Sequence, residues 1–464
     1  MRTNINSPLY LELGSISRSH GNLHYNRALF FFAAFILFDS AFSFAQSSIQ
    51  PSAGTNTPQT VQVLSWWKSA GEHKAVDVLS ERLAQESVIW KDVVIPSGGV
   101  GAGIVLKSRV LAGTAPDMAQ LKGPLISEWF DLGLINEFKP LPSPPGADKA
   151  SIANNISGKW DKAFFPTVEE LVRPNGHLVA VPLGIHRMNL IFYNRKVFEK
   201  YGLKPPENWD EFTVVSNKLQ MQGIIPLAQS SEPWQLASLF EALVLSESSP
   251  DFYRRAFVRK DPSAFSDIRF ARALLRLRIL KKFMPSPIKE LNWADATKLV
   301  ATGDAGMIVM GDFAKGELNA WGYTTDVNFG CIAVPNTANY HIYNIDTLVM
   351  PKKDHAQPEL GDKIAQLLVS PNVQADYNIA KGSVSVLRNA DQIKMDSCAR
   401  SSWRVFSRGT AAQVPSLAHD MATDGISKDA IIAELMSYFL DDSIPVAETQ
   451  RRLGAITRSL PKPR

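Results

Sequence analysis

Residues 61–76 constrain the fold most, because a strand, two tryptophans and a helix start follow one another there. The apolar run 61–64 is typical of a strand, and apolar residues recur at helical spacing from Ala75 onward. Trp66 and Trp67 therefore lie on the turn after a first strand, which in an open α/β sheet is at the carboxyl edge, where ligands bind. Aromatic faces there suit a ligand with an apolar side and a rim of hydroxyls, such as a sugar ring. The alternative is a pair of core tryptophans beside a solvated helix start.

Two further strand–helix units follow the first, over 92–112 and 117–131, and together the three units predict a parallel, doubly wound sheet. The glycine-rich residues 97–103 have neither the Gly-Lys-Ser/Thr nor the GxGxxG spacing of a phosphate-binding loop. They predict a mobile loop between the second strand and its helix.

A second set of α/β units begins near Trp209, and three extended stretches could connect the two sets. The first stretch, 178–193, is too long for one strand of a compact lobe, and the other two candidate crossings are 340–350 and 380–388. Two α/β lobes joined by three crossings form a cleft with a hinge, an architecture that closes around a ligand.

The N-terminal residues 1–45 predict a secretory signal peptide. The apolar stretch 28–38 precedes the small-x-small ending at Ala45, and it is short for a retained membrane anchor, which is the alternative. Residues 46–60 predict a flexible lead-in. In an oxidising compartment Cys331 and Cys398 predict one disulfide, the alternative being two buried thiols.

The charges and histidines favour neither nucleic acid nor metal as a partner. The formal net charge is +4, and no long Lys/Arg run is present. The eight histidines are dispersed, with no recurring ligand spacing, so no metal site and no cofactor are predicted.

Seven motifs in one order resemble a known family: VQVLSWWKSAGE, RVLAGTAPDMAQLKG, VAVPLGIHRMNLIFYN, GDFAKGE, NIDTLVMPK, AKGSVSV and PSLAHDMA. Over residues 58–440 the chain resembles the extracellular solute-binding proteins, family 1, of carbohydrate ABC importers. Within that family it is most similar to the periplasmic glucose- and mannose-binding group.

The resemblance implies an α/β fold of type II, with two Rossmann-like lobes joined by hinge strands and a ligand cleft between the lobes. The implied boundaries of the N-terminal lobe are 61–184 plus 347–381, and those of the C-terminal lobe are 187–343 plus 386–464. Hinge segments are implied near 184–188, 343–346 and 381–386. His186 and Arg187 are similar to hinge residues, with no contacts assigned.

The resemblance also implies a sugar site. In that site two tryptophans stack on the sugar, Glu72 accepts from a hydroxyl, and Asp346 and Lys381 lie on crossing strands. The implied site residues are Trp66, Trp67, Glu72, Lys122, Trp234, Gln235, Phe313, Asp346, Lys381 and His419. Phe313 departs from the family, whose members usually have tryptophan in the GDWxxGE motif, and this puts the preference among hexoses or for a larger glycoside in doubt.

Hexose chemistry agrees with these residue types. Carboxylates accept from sugar hydroxyls, ammonium groups donate to them, and such charge-assisted hydrogen bonds are stronger than neutral ones. The resemblance therefore implies a monomeric periplasmic receptor, not an enzyme, that delivers a monosaccharide to a membrane permease. One alternative is a secreted glycoside hydrolase, although nearby lysines would lower the carboxyl pKa that a general acid needs raised. A chemosensory sugar receptor is the other.

Overall fold

In the computed structural model the described residues are 58–95, 98–139 and 163–460, so the predicted signal peptide and most of the lead-in lie outside them. The strands are β1 (Gln59–Ser65), β2 (Val88–Val94), β3 (Met118–Gln120), β4 (Ile135–Asn136), β5 (Ala180–Arg187), β6 (Leu190–Asn194), β7 (Ile225–Leu227), β8 (Ala305–Met310), β9 (Phe329–Ala333), β10 (His341–Pro351) and β11 (Gln413–Pro415).

The α-helices of the first half are α1 (Ala70–Gln85), α2 (Gly98–Leu111), α3 (Pro124–Asp131), α4 (Pro166–Val172), α5 (Arg195–Lys200), α6 (Trp209–Met221) and α7 (Pro233–Ser246). Those that follow are α8 (Pro250–Phe257), α9 (Pro262–Phe265), α10 (Ile268–Lys281), α11 (Trp293–Thr302), α12 (Phe313–Ala320), α13 (Pro358–Leu368), α14 (Pro371–Lys381), α15 (Ser397–Phe406), α16 (Gly425–Leu440) and α17 (Val446–Ser459).

The first sheet has seven strands and contains the predicted doubly wound units. Its order is β11-β10-β3-β1-β2, and β4 and β5 also pair with β10. β1 runs parallel to both β2 and β3, whereas β10 is antiparallel to β3 and to β5. The parallel strands β1 and β3 therefore end at one edge, with Trp66 and Lys122 just beyond them.

The second sheet has four strands in the order β7-β8-β6-β9. Its central strands β6 and β8 are antiparallel, and their buried side chains alternate between two cores. Ile191 and Val309 face one core, while Phe192 and Ile308 face the other. Helices therefore cover both faces of this sheet, as in an α/β lobe.

The chain crosses between the sheets where β5 leads into β6 and where β10 begins. The predicted long stretch 178–193 is two strands, β5 and β6, separated at Met188 and Asn189. Asn189 holds this crossing to the second one, since its Oδ1 accepts from Ile342 N at 3.0 Å. The fold is the α/β, two-lobe architecture expected from the sequence.

Two local predictions are wrong. The glycine-rich residues are not a loop throughout, because α2 begins at Gly98. Lys381 does not lie on a crossing strand but is the last residue of α14. Two isolated bridges follow this helix, from Val384 to Ile185 on β5 and from Leu387 to Phe164. Gly382 ends this helix with φ 91°, a left-handed cap that only glycine adopts easily, and periodicity alone did not reveal this helix end.

The predicted disulfide between Cys331 and Cys398 is confirmed. It joins β9 of the second sheet to α15, whose Ala399 and Phe406 pack in the core of the first sheet.

Among the described residues, no helix is both long and apolar enough to span a bilayer. In the same ranges, no cluster of three or more His, Cys, Asp or Glu side chains is arranged to hold a metal ion.

Candidate functional site

Trp66 and Lys122 meet at the carboxyl edge of the first sheet. The Nζ atom of Lys122 lies 5.1 Å from the centroid of the Trp66 ring and 2.8 Å from Oδ1 of Asp346, on β10. Gln120 Nε2 donates to the same carboxylate oxygen at 3.3 Å. Trp66 is partly exposed, so this edge of the sheet presents an indole ring surrounded by polar side chains.

His186 links Asp346 to the second sheet. Its Nε2 lies 3.1 Å from Asp346 Oδ2, and its Nδ1 lies 2.5 Å from Oδ1 of Asp312, the N-cap residue of α12, which comes two positions after β8. Asp312 Oδ2 also accepts from the backbone N–H of Arg187 at 3.0 Å. The two carboxylates and the imidazole are buried and connect the two sheets.

The charges in this group stabilise one another. Burial alone would raise the pKa of Asp346, but the positive charges of Lys122 and His186 hold that pKa well below its usual range. Burial alone would lower the pKa of His186, yet Asp312 and Asp346 raise it above its ordinary value. Two carboxylates facing an ammonium and an imidazolium leave the group close to neutral overall, which suits an uncharged ligand.

Glu72 and Lys381 form a second ion pair beside Trp67. Lys381 Nζ lies 3.1 Å from Glu72 Oε1 and 5.6 Å from the centroid of the Trp67 ring. The other carboxylate oxygen of Glu72 accepts from Ser69 N at 3.1 Å and completes the capping box of α1. Burial raises the pKa of Glu72, but the charge of Lys381 and the hydrogen bonds from Lys381 and from the backbone N–H groups of Lys68 and Ser69 together outweigh that rise, so the net shift is downward.

The two adjacent tryptophans differ in burial. Trp67 is 3% exposed and packs against Tyr377 in the first core, with 6.4 Å between ring centroids. Trp66 is the one that keeps part of its face open. Trp67 therefore matches the core interpretation of the sequence, and Trp66 is the candidate surface for stacking on a sugar.

A group of partly exposed rings on the second lobe continues the site. Phe313 lies at its centre, with ring centroids 6.3 Å from Trp234, 4.9 Å from Trp293 and 6.1 Å from His419. Phe313 also lies 6.0 Å from His186, which joins this aromatic group to the charged one. Burial, together with the charges of Lys122 and His186, lowers the pKa of His419 well below its ordinary value, so this imidazole is neutral.

The structure brings most of the predicted residues into this continuous set, with Gln235 as an exception. Its side chain is buried and donates through Nε2 to the carbonyl of Leu291 at 2.8 Å. No contact of the described residues places its side chain against the charged or aromatic groups.

Asp312, Trp293 and Gln120 were missed as site residues. Asp312 stands in the GDF motif directly before Phe313, so the motif itself carried that signal. Trp293 begins α11 after the N-cap Asn292, and nothing in its local sequence distinguishes it from a core tryptophan. Gln120 lies inside β3, where a polar side chain between apolar neighbours was the available signal.

Comparisons with known proteins agree with this architecture. The family model of the bacterial extracellular solute-binding proteins matches residues 89–375. A probable sugar-binding periplasmic protein of Brucella melitensis is 32% identical, covering 83% of this chain and 89% of the relative.

Two solved structures share the fold. The first is the solute receptor AcbH, described as having an exclusive preference for β-D-galactopyranose, with TM-score 0.72, 17% identity and coverage of 87% of this chain and 99% of the receptor. The second is RafE in complex with raffinose, with TM-score 0.65, 18% identity and coverage of 86% and 98%. The matched family model and the Brucella relative show that this chain belongs to the bacterial extracellular solute-binding proteins.

Proposed function

We propose that this protein is a periplasmic receptor that captures a monosaccharide, glucose or mannose, between its two lobes and delivers it to an ABC transporter permease. The observation that carries the proposal is the continuous set formed by Trp66, Lys122, Asp346 and His186 with the aromatic group around Phe313. It combines stacking surfaces with charge-assisted hydrogen-bonding groups at the edge of a doubly wound sheet.

The arrangement suits capture by lobe closure. Asp346 and Lys122 extend from the first sheet, whereas Asp312 and Phe313 follow β8 of the second. A sugar that bonds to both sets would stabilise the closed lobes through its differential affinity for that state. The hinge segments near 184–188, 343–346 and 381–386 are part of this proposal, as are the lobe boundaries.

The carboxylates favour binding over hydrolysis. A glycoside hydrolase needs a carboxylic acid whose pKa is raised toward neutrality. The pKa values of Glu72 and Asp346 are instead shifted downward, which keeps both groups ionised as hydrogen-bond acceptors. The Brucella relative is also described as a sugar-binding protein.

A larger glycoside is the second candidate ligand, and Phe313 is the observation that favours it. Phenylalanine is smaller than the tryptophan usual in the family motif, and it stands among three other partly exposed rings. The solved structures do not choose between the candidates, because one binds β-D-galactopyranose and the other raffinose.

Calorimetric titration of the mature protein tests the proposal. We expect one-to-one binding of glucose or mannose, with Trp fluorescence changing in parallel, and loss of binding in Asp346→Ala. We also expect Trp66→Ala to weaken binding, and Trp321→Ala is its matched control. Trp321 is likewise partly exposed under a lysine, with Lys298 Nζ 5.0 Å from the centroid of its ring. Binding of raffinose-type sugars alone would support the larger glycoside, and turnover of aryl glucosides would overturn the receptor assignment.

A further inference from the structure

Glu241 is a carboxylate buried inside the second lobe, on α7, outside the set of residues described above. It is fully buried, yet no lysine or arginine pairs with it among the described residues. Its hydrogen-bond donors come instead from α8 and from residues 416–418, the segment directly after β11.

The two oxygens of this carboxylate have different partners. Oε2 lies 2.9 Å from the hydroxyl of Tyr253 and accepts from the backbone N–H groups of Leu417 and Ala418 at 2.5 and 3.2 Å. Oε1 accepts from the hydroxyl of Ser416 at 2.7 Å. The bonds to Oε2 anchor the segment of residues 416–418. The bond to Oε1 connects the carboxylate to Ser416, which in turn contacts His419.

Ser416 passes the effect on to His419. Its Oγ lies 2.9 Å from Nδ1 of His419 and also accepts from the backbone N–H of that residue at 3.2 Å. A hydroxyl has a single proton to donate. When Ser416 donates that proton to an ionised Glu241, its oxygen can only accept from Nδ1, so His419 must carry its proton on Nδ1 and leave Nε2 as an acceptor.

Protonating Glu241 reverses this order. The added proton belongs on Oε1, because a hydroxyl oxygen at Oε2 would accept poorly from two backbone N–H groups. Oε1–H then donates to Ser416, whose own proton turns to Nδ1 of His419. The partly exposed imidazole releases its Nδ1 proton to solvent and takes up one from solvent on Nε2, so its charge does not change. His419 then presents a donor where it had presented an acceptor.

We infer that Glu241 is a positioning residue of the sugar site, which sets through Ser416 whether His419 donates a hydrogen bond to the ligand or accepts one. The inference rests on the proposed function, since it takes His419 as a ligand contact. The ring of His419 is partly exposed and lies 5.5 Å from Trp234 and 6.1 Å from Phe313, within the aromatic group of the site.

The titration range of Glu241 makes the relay relevant near neutral pH. Burial raises the pKa of Glu241 to about 7, with the bonds from Ser416 and Tyr253 opposing that rise. The other titratable or charged groups that act on Glu241, Tyr253 or His419 are Tyr343, Lys122, His186, Asp346 and Lys428. Of these, His186 has a raised pKa of its own and must be separated by experiment.

The substitution Glu241→Gln isolates the relay. The amide oxygen can replace Oε2 and keep the bonds from Leu417 and Ala418, while the amide nitrogen donates to Ser416 as a protonated carboxyl would. We expect the variant to fold and to hold His419 as the Nε2–H tautomer at every pH. Ser416→Ala is the matched control, because it cuts the link without altering the carboxylate.

The readout is the pair of ring ¹⁵N shifts of His419 in histidine-labelled, sugar-free protein, assigned with His419→Gln. In the wild type we expect these shifts to change from the Nε2–H pattern at low pH to the Nδ1–H pattern at high pH, with a midpoint near pH 7. In Glu241→Gln and Ser416→Ala we expect no such transition. A tautomer change that survives Glu241→Gln would belong to His186 and would overturn the relay, as would Nδ1–H in that variant.

Sugar titrations at pH 6 and pH 8 complete the test. Since one hydrogen bond changes character, we expect the wild-type affinity to differ about three- to tenfold between the two pH values and that of Glu241→Gln by less. Equal pH dependence in both proteins would overturn the role in binding. A wild type that binds no sugar at either pH would overturn the proposed function, whereas the shifts in sugar-free protein still decide the relay.

Discussion

Trp66 and Trp67 are neighbours in the chain, but the turn after β1 directs them into different surroundings. The Trp67 ring lies in the first core beside Tyr377, while Trp66 stays partly exposed under Lys122. A buried indole contributes mainly to folding, whereas an exposed one at a ligand edge contributes to binding.

We predict that Trp67→Ala lowers stability, whereas Trp66→Ala weakens sugar binding. Trp67→Ala should lower the free energy of unfolding by about 3–5 kcal/mol, because it leaves a core cavity. Trp66→Ala should leave stability nearly unchanged but weaken sugar binding at least about 30-fold, as the loss of an aromatic anchor of about 2 kcal/mol implies. Urea unfolding and calorimetry separate the two effects, and equal loss of stability in both variants would contradict the assignment.

His186 predicts a pH dependence of stability. Because its folded pKa is raised above the unfolded value of about 6.5, its stabilising interaction is fully present below that value and is lost as pH rises through the folded pKa. The stability difference between wild type and His186→Gln should therefore be larger at pH 5.5 than at pH 9. Urea unfolding of both proteins at each pH measures this stability difference. Glu241 titrates in both proteins, so its contribution to stability cancels in the difference. A difference that grows with pH would contradict the prediction.

At the scale of elements, the N-terminus of α1 is built for close contact with α12. The carboxylate of Glu317, on α12, accepts from Gly71 N at 2.7 Å and from Ala70 N at 3.3 Å, and so satisfies free N–H groups of the first turn of α1. The helices approach so closely that a Cβ on Gly71 would lie 2.7 Å from the backbone nitrogen of Glu317.

We predict that Gly71→Ala destabilises the fold by about 1–3 kcal/mol, since the methyl group would have to separate two backbones. Gly103→Ala is the matched control. It also lies in a helix, α2, but its Cβ would meet nothing within 4 Å, so the change should be neutral or stabilising by about 0.4–1 kcal/mol. Thermal or urea unfolding of the pair is the measurement, and a harmless Gly71→Ala would show that the two helices separate easily.

At the scale of the whole molecule, the disulfide connects parts that belong to different cores. Cys331 lies on β9 of the second sheet, and Cys398 is the second residue of α15, whose Phe406 packs with Phe165 in the first core, with 5.1 Å between ring centroids. The bridge spans a sequence separation of 67 residues. Closing a loop of that length restricts the unfolded chain substantially.

We predict that removing the bridge by the double change of Cys331→Ser and Cys398→Ser lowers the free energy of unfolding by about 2–5 kcal/mol. Reducing agent should shift the urea midpoint of the wild type in the same direction and leave that of the double variant unchanged. A wild type whose midpoint ignores complete reduction of the disulfide would contradict this prediction.

The class of the fold, the residues at the ends of β1, β3 and β8, and the disulfide were all predictable from the amino-acid sequence alone. Periodicity and motif order depend on near neighbours in the chain, and these were present in the sequence. Tertiary packing set which tryptophan is buried, that Lys381 ends a helix, and which contacts Asp312, Trp293 and Glu241 make. Those outcomes depend on contacts between residues distant in sequence, such as His186 and Asp312, whose sequence separation is 126, and local patterns carry no record of such contacts.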